Sequence, residues 1–162
     1  MSDLADGAPH ANTVNTRMIS LDNVRSRLAS IWLVGVLLIV SIVIMQSLLG
    51  HFGENIQGVW EWLLPAVMPT VGMIISALAG TALLQVSSES VVRKSFARIS
   101  QTLSIFYLLL ILLTIVIQPI VKPVITDWIQ MLHTSNLWLG PLQGIVASSL
   151  GVLFASKERK NV

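Results

Sequence analysis

The chain contains no cysteine, and charged residues make up only 11% of its 162 residues. Without thiols it has no disulfide, no thiolate nucleophile and no cysteine-ligated metal ion. Hydrophobic residues make up 54% of the sequence, and the mean hydropathy is +0.77. A soluble domain of this size needs more charge on its surface, so the composition indicates a membrane protein.

Charge is missing altogether from four long segments of the chain. Each segment exceeds the roughly 20 apolar residues that a helix needs to cross about 30 Å of hydrocarbon. The sequence therefore predicts an all-α integral membrane protein with four transmembrane helices. The uncharged segments are residues 28–53, 62–88, 99–121 and 128–156, and the spans predicted from them are 31–49, 60–85, 102–120 and 137–155.

The predicted spans also lack the side chains on which chemistry within a membrane usually depends. Proton relays, charge-coupled transporters and voltage sensors need ionisable groups there, and haem held between helices needs a histidine. His51 and His133 lie outside the spans, near Glu54 and Asp127, but in different loops and without the spacing of a metal site. We therefore expect a non-enzymatic protein with no cofactor and no bound metal, in which these histidines are ordinary interfacial residues.

The basic residues are distributed unevenly between the two sides of the predicted membrane. Nine of the ten lie on one side, and only Lys122 lies on the other. By the positive-inside rule, both termini and the loop between the second and third spans are expected in the cytoplasm, at a bacterial inner membrane. This topology accounts for the pI of about 9.4, so no nucleic-acid partner is expected. The expected cytoplasmic basic face consists of Arg25, Arg27, Arg93, Lys94, Arg98, Lys157, Arg159 and Lys160.

The sequence outside the spans is too short to form a second domain. Ser20 is a candidate N-cap, and Leu21, Val24 and Leu28 share one face of the helix that would follow it. The expected organisation is a flexible cytoplasmic tail at 1–17, an amphipathic juxtamembrane segment at 18–30, a four-helix transmembrane domain at 31–156 and a basic cytoplasmic tail at 157–162.

Apolar residues repeat at helical spacing just before the fourth span. They are Ile125, Trp128, Ile129 and Leu132. A short helix with one apolar face is stable when it lies flat at the membrane surface. The pattern predicts such an amphipathic helix on the outer surface.

Two prolines lie in the first half of the second span. Pro65 is close enough to the start of the helix to be tolerated, but Pro69 removes a backbone donor within it. A missing hydrogen bond of this kind kinks a helix, so this pair is the candidate hinge.

Small residues recur at intervals of four in the second and fourth spans. Such stripes let helix backbones approach closely, which matters in lipid because burying apolar surface there gives no hydrophobic gain. Spans two and four are therefore the expected contact helices, and spans one and three are expected to face lipid. The stripes either hold one bundle together or leave one row for a second copy of the chain. Their members are Gly72, Ser76, Gly80, Gly140, Gly144, Ser148 and Gly151.

One polar residue lies in the predicted outer part of each span. The four residues are Gln46, Thr70, Gln118 and Gln143. Two interpretations are open: ordinary hydrogen bonds between helices, or a polar ring at the mouth of a pore.

These patterns favour a non-enzymatic multi-pass membrane subunit that self-associates as a homo-oligomer in contact with membrane lipids. Its basic face would meet a soluble cytoplasmic protein, in a bacterial system such as envelope sensing or defence. The alternative is an oligomeric pore or channel-like effector, lined by serine, threonine, glycine and glutamine. Both functions agree with the lack of charge in the spans.

Overall fold

The computed structural model describes residues 18–84, 91–121 and 127–155. Each of the four long helices is long and apolar enough to span a membrane. The prediction of a helical bundle with four potential membrane spans is confirmed. Its elements are β1 Met18–Ser20, α1 Leu21–Leu48, a 3-10 turn at Gly53–Asn55, α2 Ile56–Leu84, β2 Val91–Arg93, α3 Lys94–Val121 and α4 Trp128–Ala155.

The helices pack as a closed group in which α1 contacts α3, α3 contacts α4, α4 contacts α2, and α2 contacts α1. Each helix reverses the direction of the one before it, so α1 runs parallel to α3 and α2 runs parallel to α4. Arg25 and Arg27 mark one end of the bundle, which we call the basic end. Trp60 and Trp128 mark the other, which we call the tryptophan end.

A short strand ladder, which the sequence did not predict, joins two segments at the basic end. β1 and β2 are antiparallel, with Met18 opposite Arg93 and Ser20 opposite Val91. Because α1 follows β1 directly and α3 follows β2 directly, the ladder holds the first turns of these two helices at the same level. Three residues per strand are too few for a recognisable alternating pattern.

α1 and α3 pack closely against each other, and both also expose large apolar side chains, such as Leu37 and Leu109, on their outer faces. A Cβ atom built on Gly35 would lie 2.7 Å from Cδ1 of Leu108. The rings of Trp32 and Tyr107 lie next to this contact, with their centroids 6.0 Å apart. Large side chains fill the space between these helices and supply the dispersion contacts that hold them together.

The helix predicted before the fourth span is not a separate element, because α4 begins at Trp128 and continues unbroken to Ala155. Trp128 and Leu132 are buried, and the Trp128 ring stacks on Phe52 with a centroid distance of 5.9 Å. An apolar face that would lie on a membrane packs equally well into a bundle, and no proline or glycine interrupts residues 128–139. Ile125 lies outside the described residues.

Candidate functional site

The described residues include no group of three or more His, Cys, Asp or Glu side chains that could hold a metal ion. His51 and His133 are both exposed at the tryptophan end. The polar groups of the helices are therefore the candidates for a functional site, and the most distinctive of them surround the prolines of α2.

Helix α2 continues through Pro65 and Pro69 as a single element. Pro69 has no N–H, so the carbonyl of Pro65, four residues earlier, lacks its normal partner within the helix. The Nε2 atom of Gln143 in α4 donates to this oxygen at 3.0 Å. A side chain of a neighbouring helix thus replaces the backbone donor that the proline removes.

Two further hydrogen bonds attach the same part of α2 to its neighbours. The hydroxyl of Tyr107 in α3 donates to the carbonyl oxygen of Ala66 at 2.9 Å. The indole Nε1 of Trp62 donates to Oγ of Ser135 in α4 at 3.0 Å. The candidate hinge therefore carries bonds to α3 and α4, which restrain it against bending.

The four residues of the predicted polar ring do not lie at one level. Gln46 and Gln118 are within a turn of the ends of α1 and α3 at the tryptophan end. Thr70 and Gln143 lie about 21 and 22 Å from the starts of α2 and α4 at that same end, at about 1.5 Å per residue. The ring interpretation is therefore wrong, because α2 and α4 begin earlier than the predicted spans.

Gln46 and Gln118 nevertheless lie at nearly the same level of the adjacent helices α1 and α3. Counting at about 1.5 Å per residue from the contact of Gly35 with Leu108 places them within about 2 Å of the same level. Oε1 of Gln46 and both amide atoms of Gln118 are buried and have no hydrogen-bond partner within the described structure. A buried polar group in this condition destabilises the fold. The same holds for the side-chain polar atoms of Trp32, Thr70, Ser100 and Ser104, which are also buried without a partner in the described structure.

The small-residue stripes of α2 and α4 face outward. Among the described residues, no atom comes within 4 Å of a Cβ built on Gly72, Gly80, Gly140, Gly144 or Gly151. The interpretation that the stripes hold one bundle together is therefore wrong. A small residue removes a steric barrier to close approach, but it provides few contacts of its own, and larger side chains occupy the interior.

The outward stripe on α2 is part of a row that packs against α4 nearer the tryptophan end. Gly58, Pro65 and Gly72 are spaced seven residues apart, so they share one face of α2. A Cβ on Gly58 would lie 3.1 Å from Ile129 of α4, and Pro65 is bonded to Gln143, whereas Gly72 meets nothing. Gly72 therefore lies outside the contact that Gly58 and Pro65 make with α4.

Arg25 departs from the expected exposed basic face. It is buried, and its Nε and Nη2 atoms donate to the carbonyl oxygens of Leu153 at 2.8 Å and Phe154 at 3.3 Å. The last carbonyls of a helix have no partners within it, and a cation there also interacts favourably with the helix dipole. Arg25 therefore caps α4 and holds it against the start of α1.

The other residues of the predicted cytoplasmic basic face divide into three sets. Arg27, Lys94 and Arg98 line a cavity between α1 and α3. Arg93 is exposed on β2 and does not line that cavity. Lys157, Arg159 and Lys160 lie outside the described residues.

No protein-family model, no curated protein and no solved structure matches this chain.

Proposed function

We propose that the protein is a non-enzymatic multi-pass membrane subunit that self-associates through the outer surface shared by α2 and α4. The observation that carries this proposal is the set of outward-facing glycines, around which the described chain leaves open space. Small residues on a lipid-facing helix allow a helix of another molecule to approach closely. A stripe that the bundle does not use itself is suited to a second copy of the chain.

The shape of this surface supports the same proposal. No described atom lies within 4 Å of a Cβ built on Gly72 or Gly144, so the small residues of the adjacent helices α2 and α4 leave a shallow depression on this surface, which we call the cleft. Gly72 and Ser76 lie along one helix, and Gly144 and Ser148 lie along the other. The Ser148 hydroxyl donates to the Gly144 carbonyl oxygen at 2.7 Å, which satisfies it without a partner from another helix. Apolar side chains of a second copy can therefore pack against the cleft without breaking the hydrogen bond of the Ser148 hydroxyl.

The test is the mass of the full-length protein in detergent, by light scattering, with and without Gly144→Leu. We expect the unmodified chain to be oligomeric and the variant to be smaller, with unchanged helix content. Ser41→Leu is the matched control, because Ser41 is exposed on α1, away from the cleft. A strictly monomeric unmodified protein, or an oligomer that Gly144→Leu leaves intact, would refute the proposal.

We also propose that the basic end lies in the cytoplasm of a bacterium and meets a soluble protein there. The positive-inside rule supports this orientation, and the ladder presents Arg93 at that end. Since the chain has no cysteine, a single Arg93→Cys or Glu54→Cys variant gives an unambiguous label. In intact cells, an impermeant maleimide should label residue 54 and not residue 93. The opposite pattern would reverse the orientation, and crosslinking from residue 93 would identify the soluble protein.

The alternative function, an oligomeric pore, receives less support. Trp32, Trp62 and Tyr107 are fully buried within the bundle, so a lumen would have to lie between copies. Ion or dye passage through liposomes that contain the protein, lost in Gly144→Leu, would favour the pore. Liposomes that contain the assembled oligomer but pass neither ions nor dye would favour the function as a membrane subunit.

A further inference from the structure

A groove at the basic end of the bundle runs between the parallel helices α1 and α3. Its outer part is a cavity of about 750 Å³ lined by both helices and by β1. A second cavity of about 360 Å³ continues it toward the middle of the helices. Ser26, Arg27 and Gln101 line both cavities, which makes the groove continuous.

The outer part of the groove carries positive charge. Arg27, Lys94 and Arg98 line it, and none of the three forms an ion pair with a carboxylate in the described part of the chain. Asp22, on the first turn of α1, lies 3.8 Å from Arg25 instead. Because α1 and α3 are parallel, the positive ends of both helix dipoles add to this potential. The groove therefore favours an anion at its outer end.

The lining changes from charged to apolar along the groove. Beyond the cations come the hydroxyl of Ser30 and the amide of Gln101, and then the side chains of Ile31 and Ile105. Ile105 is 44% exposed on the outer surface of α3. A free anion would use only the first part of this lining. A phospholipid presents a phosphate, then ester oxygens and then acyl chains in the same order.

We propose that this groove binds one anionic phospholipid, with its phosphate on Arg27, Lys94 and Arg98 and its acyl chains beside Ile31 and Ile105. Guanidinium groups bind phosphate oxygens in pairs, and basic pockets between helices hold anionic lipid headgroups at the membrane surface. The ester oxygens accept hydrogen bonds from Ser30 and Gln101. The site goes beyond the proposed subunit function and does not depend on self-association, since the cleft lies on α2 and α4.

The experiment is native mass spectrometry of the full-length protein in detergent, titrated separately with dioleoylphosphatidylglycerol and dioleoylphosphatidylcholine. We expect the anionic lipid to bind at least about fivefold more tightly, and Arg27→Gln and Arg98→Gln each to weaken it by about fivefold, as loss of one cation near a lipid phosphate implies. Arg93→Gln is the matched control, because it removes the same charge at the same end outside the groove. It should change the affinity by less than about twofold.

Three results would overturn the proposal. The first is equal binding of the two lipids, and the second is an equal effect of Arg93→Gln. The third is competition by glycerol 3-phosphate or a hexaglutamate peptide as strong as that by the lipid, which would assign the groove to free phosphate or to an acidic protein. Ile105→Trp, which fills the apolar part, should weaken lipid binding without removing a charge. Gly144→Leu should bind the lipid with unchanged affinity. A failure of the self-association proposal can therefore be distinguished from a failure of the lipid-binding proposal.

Discussion

Gln143 is expected to stabilise the bundle only while residue 69 is proline. In the native chain its Nε2 atom lies 3.0 Å from the carbonyl oxygen of Pro65, which Pro69 leaves without a backbone donor. Gln143→Met keeps the side-chain length and removes the donor. Hydrogen bonds between membrane helices contribute about 0.6 kcal/mol on average. The Pro65 carbonyl lies on the exposed side of α2, where lipid offers no donor, so leaving it unpaired costs about 1–3 kcal/mol. We therefore expect Gln143→Met to lower the free energy of unfolding by about 1–2 kcal/mol.

Pro69→Ala restores an N–H four residues after Pro65. The backbone then satisfies the Pro65 carbonyl within α2, and Gln143→Met should cost only about 0.5 kcal/mol in that background. The coupling energy of the two substitutions is thus about 1 kcal/mol. The double-mutant cycle consists of the native protein, Gln143→Met, Pro69→Ala and the double variant. The free energy of unfolding of each is measured by reversible unfolding in mixed micelles with increasing dodecyl sulfate, followed by tryptophan fluorescence.

Gln57→Met is the control for this cycle. Its Nε2 atom bonds Oε1 of Glu61 at 2.6 Å on the exposed side of α2, so no backbone carbonyl depends on it. It should cost less than about 0.5 kcal/mol with either residue at position 69. An equal cost of Gln143→Met in the proline and alanine backgrounds would show that Gln143 does not substitute for the missing donor, and would refute the reasoning.

Four other substitutions test the packing, all by the same unfolding measurement. Arg25→Met should lower the free energy of unfolding by about 3 kcal/mol, because it leaves two end carbonyls of α4 unpaired, and a loss below about 1 kcal/mol would contradict the capping role. Gln118→Leu should raise stability by about 1 kcal/mol, since it removes two buried unpaired amide atoms, whereas a loss would show that this amide has a partner in the membrane. Gly35→Val should cost about 1–3 kcal/mol through overlap with Leu108, and Leu108→Ala should recover part of that cost, while no effect would contradict the close packing of α1 and α3.

Much of the fold was predictable because lipid imposes a simple requirement on the sequence. A helix that crosses hydrocarbon needs a long uncharged run, and such runs can be read directly. Ser20 directly precedes α1, as predicted, but its side chain makes no capping hydrogen bond. The start of α4 was misplaced because Trp128 and Leu132 are apolar on one face, which suits a membrane surface and a bundle interior alike.

The candidate sites were less predictable, because they depend on which helices become neighbours. Pro69 in the sequence indicated a missing backbone N–H donor. Only the position of α4 beside α2 shows that the side chain of Gln143 replaces it. Arg25 and Arg27 are two residues apart and looked equivalent in the sequence. Their positions around α1 direct one to the end of α4 and the other into the groove.

The sequence by itself determined that the chain has four potential membrane spans and where its charge is concentrated, because burial in hydrocarbon constrains each segment independently of the others. Only the tertiary structure decided that α1 and α3 pack closely and that the glycines of α2 and α4 face outward. Apolar helix faces are nearly equivalent in lipid, so the choice of partners rests on packing and on a few hydrogen bonds. These contacts involve pairs of residues distant in the chain, such as Gly35 with Leu108 and Pro65 with Gln143.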